Sequence, residues 1–144
     1  MERFLNIFGR LKRGEERAGR QVGIGFFDLR GMTDEERAGF EPGFYFRIGP
    51  ISEAEALQEG FLYSLIPHFH TMIADQGFNE GGYKPIPPDG KFVAGPSWLF
   101  TEDYFDEESS TFIVKAEPLS KKVLEKIPVD TERKQALATI SVSF

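Results

Sequence analysis

The stretch SEAEALQEGFLYSLIPHFHTMIADQG, residues 52–77, decides how the rest of the chain is read. Leu57, Phe61, Leu65 and Phe69 recur every four residues, the spacing that stacks side chains on one face of an α-helix. Ser52 with Glu55 three residues later is the pattern of a capping box, in which side chains satisfy the first free backbone donors. Pro67 lacks a donor and predicts a kink, after which the helix resumes through about Gln76. Gly77 then suits a left-handed terminus. An apolar stripe on a single helix needs a second layer to cover it, and the flanking sequence supplies strands.

Working outward, Gln21–Leu29, Phe44–Ile48, Lys91–Phe100, Thr111–Glu117 and Thr139–Phe144 read as strands, the last alternating Ile140, Val142 and Phe144. Thr33 and Glu36 form a second capping-box pattern that opens one or two helical turns before Gly39. Ser120–Lys126 reads as a short helix stopped by Pro128, and residues 131–137 as a turn or short helix. The order predicts an α+β fold: a mostly antiparallel sheet of about five strands, one long kinked helix packed on a face, and short peripheral helices. Uneven crossovers argue against a regular parallel βαβ arrangement.

A chain of 144 residues suits one core, and fifteen Phe supply large apolar areas to fill it. Residues 1–20 divide off as a basic amphipathic helix and linker, with Phe4, Leu5, Phe8 and Leu11 on one face, and residues 21–144 form a single α+β domain. That N-terminal segment holds six Lys/Arg against three Asp/Glu, so the remainder of a chain of net charge −6 carries −9. An acidic body repels phosphate and speaks against nucleic acid as a partner. One short helix anchors poorly, which speaks against a membrane surface. The absence of cysteine excludes disulfides, thiol catalysis and thiolate metal sites. With no signal-peptide core and no long apolar run, the expected location is the cytoplasm.

No catalytic constellation emerges. His68 and His70 are the only histidines, and on a helix residues two apart lie about 200° round the axis, too far to share a metal. Gly23-Ile24-Gly25 opens like a dinucleotide fingerprint, but Asp28 stands where the third glycine belongs, and close backbone packing or a bulge explains the glycines better. Gly95-Pro96-Ser97-Trp98 lacks the nucleophile-elbow pattern. No cofactor or metal is implied.

The segment 98–108 stands apart, with five acids and four aromatics in eleven residues. Read as the connection between two strands, it places Trp98, Asp103, Tyr104, Phe105, Asp106, Glu107 and Glu108 at a surface where rings supply affinity and acids steer a basic protein. The loop 78–89, with Asn79, Glu80, Tyr83 and Lys84, is a second docking edge.

A small acidic α+β chain with an acidic, aromatic-rich surface resembles bacterial immunity proteins and other protein inhibitors, a likeness of size and charge. The resemblance implies a non-catalytic domain that neutralises a basic toxin. Two other expectations stand beside it. One is a structural subunit of a phage or secretion apparatus, whose N-terminal helix and C-terminal strand would contact further copies of the chain. The other is a small-molecule-binding or enzymatic domain that uses His68 or His70.

Overall fold

The computed structural model describes residues 21–78, 98–132 and 135–143. The N-terminal helix and linker expected over residues 1–20, the loop expected over 78–89 from Asn79 onward and the start of the third strand at Lys91 lie outside the described residues, as does Phe144. The described chain runs β1 (Gln21–Asp28), α1 (Asp34–Arg37), β2 (Phe44–Gly49), α2 (Glu53–Ala56), α3 (Phe61–Asp75), β3 (Trp98–Asp106), β4 (Thr111–Pro118), α4 (Lys121–Lys126) and β5 (Ala138–Ser143). The strands form one five-stranded sheet in the order β3-β4-β2-β1-β5, with every neighbouring pair antiparallel. The α+β class and the antiparallel sheet are therefore as expected.

One face of the sheet meets α3. Val22, Ile24 and Phe26 of β1, Phe44, Phe46 and Ile48 of β2, and Phe112, Val114 and Ala116 of β4 pack against Leu65, Phe69, Met72 and Ile73. At its centre Phe46 stacks on Phe69 at 4.1 Å between centroids and on Phe26 at 4.5 Å, so one ring from each of three elements forms a column. Each such ring contributes roughly 1.5–3 kcal/mol through burial. The opposite face buries Phe27, Leu29, Met32, Tyr45 and Ile113. Burial on both faces explains why β1 and β2 read as nearly continuous apolar runs, whereas β5 alternates half-buried and exposed residues.

The helix expected from Ser52 to Gln76 is divided. Ser52 does cap with Glu55 in a full capping box, but the helix it opens closes after four residues. Gly60 then takes φ +84°, a left-handed conformation that residues with a Cβ avoid, and α3 begins after it. Leu57 consequently leaves the predicted stripe and is exposed. The break is at Gly60 and not at Pro67, which lies inside a helix that continues to Asp75. Pro67 is exposed, so the helix passes it without a cost to the core. The second capping box, at Thr33 and Glu36, is present, and Gly77 has the expected left-handed φ of +76°.

Candidate functional site

The acidic aromatic segment is mostly strand. β3 extends from Trp98 to Asp106 and pairs with β4, leaving only residues 107–110 as the turn. The expected strand end at Phe100 falls too early because five acids mimic a loop, whereas Leu99, Phe100, Tyr104 and Phe105 each keep a partner on β4. A bulge between Glu102 and Tyr104 sets its faces. Leu99, Thr101 and Tyr104 pair with Glu117, Lys115 and Ile113, alternate residues of β4, so the extra residue at Asp103 returns Tyr104 to the face of Leu99. Phe100 and Phe105 pair with Ala116 and Phe112 and pack toward α3.

The seven residues marked in the sequence therefore separate. Trp98 is only 7% exposed, meets Phe26 and Phe44 edge-on, and donates from Nε1 to the Phe78 carbonyl at 3.3 Å. Asp106 is buried and accepts from the Ser109 backbone at 3.3 Å and from the Ser109 hydroxyl, which shapes the turn. Phe105 is half-buried against the core, and Asp103 falls at the bulge. Tyr104, Glu107 and Glu108 face solvent. Leu99 is 45% exposed and shares the face of Tyr104, which is 42% exposed; its signal is strand parity, hidden by the bulge. Gly49 lets β2 pass the turn, since a Cβ there would lie 2.4 Å from Thr111 Cγ2 and 2.9 Å from the Ser110 carbonyl. On the same face as Leu99 and Tyr104, Lys115 binds Glu41 at 2.7 Å, and this hydrogen bond, with the lysine's charge, lowers the Glu41 carboxyl below its ordinary range. Among the described residues no cation pairs with Glu107 or Glu108.

His68 and His70 both lie on α3, as the helical reading required, and they diverge: His68 is half-buried and His70 is buried with its ring edge toward Phe100. Burial pushes the His70 imidazole below its ordinary value. No group of three or more His, Asp or Glu suited to a metal occurs among the described residues. No helix among them is long and apolar enough to cross a membrane. Gly23 and Gly25 pair regularly with Gly49 and Arg47 inside β1, so they build no phosphate loop.

A cleft elsewhere in the fold was not anticipated. Where α3 stops, a cleft of about 210 Å³ opens between the end of β1 and the segment after α4. Phe78, Ile127, Pro128 and Leu137 form its apolar wall, and Asp28, Gln76 and Asp130 its polar one. Arg30 fixes Asp28 through Nε at 2.9 Å and a terminal nitrogen at 2.8 Å, and the latter also donates to the Ile127 and Pro128 carbonyls.

Comparison with known protein families, curated proteins and solved structures found no match to this chain.

Proposed function

We propose that this chain is a non-catalytic, cytoplasmic protein-binding domain that receives a basic partner along β3, in the manner of an immunity-type inhibitor. The observation that carries the reading is the common face of Leu99 and Tyr104, two large apolar side chains held exposed on the outermost strand of the described sheet. Exposing such groups forgoes burial, and a partner that covers them recovers it. Glu107 and Glu108 at the adjoining turn, unpaired with any cation among the described residues, supply a negative rim that accelerates encounter with a basic surface. Trp98, Phe105 and Asp106 serve this surface from beneath, holding the strand and its turn rather than meeting the partner.

The test is affinity capture from the host at low and high salt with three baits: wild type, the Leu99→Ser/Tyr104→Ser variant and the Glu107→Lys/Glu108→Lys variant. One basic protein recovered stoichiometrically by wild type, released by salt and missed by both variants supports the reading. Equal recovery by all three baits overturns it. A second reading, a subunit of a larger assembly, is favoured by β5, which pairs only with β1 among the described residues and exposes Thr139, Ser141 and Ser143. Wild type that recovers only itself or a multi-subunit complex moves the conclusion there.

A further inference from the structure

We infer that the cleft at the end of α3 is a receptor for a small organic cation, a primary ammonium or guanidinium carried on a short apolar stem. The site is separate from β3 and does not depend on the function proposed for that strand.

Charge sets the sign of the ligand. Asp28 and Asp130 both line the cleft, and Arg30 offsets only one of them. Gln76 is the C-cap of α3, so the negative end of a fifteen-residue helix borders the same space. Among the described residues that line the cleft, none is Lys, Arg or His, and two are aspartates. Asp28 keeps acceptor capacity: an ionised carboxylate offers about four lone-pair positions, and Arg30 uses three, through its backbone N, Nε and one terminal nitrogen.

Shape sets the size. A volume of about 210 Å³ lies below the roughly 300–1,000 Å³ typical of drug-sized ligands, so the cleft suits a group of a few heavy atoms and not a nucleotide. Phe78, Ile127, Pro128 and Leu137 provide apolar contact for the stem.

The walls are also fastened. The Arg30 guanidinium ties Ile127 and Pro128 to the end of β1, with contacts of 3.1 and 3.3 Å. Next to it, the 130–131 backbone lies so close to Gly31 that an added Cβ would sit 2.5 Å from the Asp130 carbonyl oxygen. A cleft held open by such contacts binds without a large ordering cost.

The test is a titration of the full chain followed by backbone amide NMR shifts, with n-butylammonium, butyrate and n-butanol as probes. Saturable shifts at Gln76, Phe78 and Leu137 are expected with n-butylammonium, about tenfold weaker binding with n-butanol, and none with butyrate. Asp130→Asn, an exposed change that leaves the Arg30 clamp intact, should weaken n-butylammonium several-fold and leave n-butanol unchanged. Equal binding of n-butanol, binding of butyrate, or the absence of saturable shifts overturns the inference. A lysine blocked at both backbone ends distinguishes the sources of the cation. Binding comparable to n-butylammonium identifies a protein side chain, and much weaker binding identifies a free amine. The β3 variants should titrate as wild type, so failure of the strand reading and failure of this one are told apart.

Discussion

Arg30 closes on Asp28 with two side-chain nitrogens, at 2.9 and 2.8 Å from the two carboxylate oxygens, and its guanidinium lies 4.6 Å from the centre of the Phe44 ring. With its bonds to Ile127 and Pro128, this one side chain joins the end of β1, the start of β2 and the segment that follows α4. Both charged groups are largely withdrawn from water. Removing one of them leaves the other unpaired, which costs far more than the pair itself contributes.

Arg30→Met should accordingly lower stability by roughly 3 kcal/mol, read from the urea midpoint at constant slope. The double variant Asp28→Leu/Arg30→Met removes both charges and should recover most of that loss. A single-variant cost below about 0.5 kcal/mol, the range of ordinary surface substitutions, would show the clamp to be ornamental.

His70 makes stability depend on pH. Burial lowers its folded pKa below the unfolded value near 6.5, so the unfolded chain binds more protons between the two values. Stability is complete above about pH 6.5 and declines on acidification through the window between the unfolded and the folded pKa. The expected outcome is a urea midpoint that falls from pH 7.5 to 5.5 in wild type and falls less in His70→Leu. The His70 ring resonances should titrate below the ordinary imidazole value. A normal titration would remove the cause.

Much of this architecture was legible because local rules and tertiary packing agree. Ser52 with Glu55 and Thr33 with Glu36 form capping boxes where the pattern places them, and the Thr111 strand and the Ile140, Val142 alternation survive in β4 and β5. Gly60 was overlooked because the four-residue stripe through Leu57 suggested continuity, while a left-handed glycine interrupts it at no steric cost. β3 was cut short because its acids outweighed its parity in a linear reading, and the bulge at Asp103 concealed that Leu99 and Tyr104 share a face. The cleft could not be read at all: Asp28, Gln76 and Leu137 are brought together only by the tertiary fold, and no local pattern connects them.

Pro67 carries a cost that the fold tolerates. It stands within α3, six residues from the start, and deprives the helix of one backbone bond. Thr71 donates its hydroxyl to the Pro67 carbonyl at 3.0 Å, and Ser64 donates to the Phe61 carbonyl at 2.6 Å, so side chains share in bonding this part of the helix. Because position 67 is exposed, Pro67→Ala should restore the bond without disturbing the core and raise stability by roughly 1–3 kcal/mol in thermal or urea unfolding. Loss of stability would mean that the proline's fixed φ sets the path of α3 over the Phe46 ring.

The parity of β3 yields the sharpest contrast, because neighbouring residues should respond to very different degrees. Leu99 faces solvent, and Leu99→Ser should change stability by no more than about 0.5 kcal/mol. Tyr104 makes one edge-on contact with Phe40, at 5.8 Å and 79°, so Tyr104→Ser should cost about 1 kcal/mol. Phe100 is different. It meets Phe46, Phe69 and His70 on the α3 side, and Phe100→Ser should cost roughly 3 kcal/mol. Phe105→Ser, against Phe112 on that same side, should also exceed the Leu99 change. Urea unfolding of the four variants measures the pattern directly. The order Leu99, Tyr104, then the two phenylalanines means that the outer pair is held exposed at little benefit to folding, which is what a docking surface requires. Equal losses at Leu99 and Phe100 would mean that both faces of β3 belong to the core, and the strand would then have no apolar surface to offer a partner.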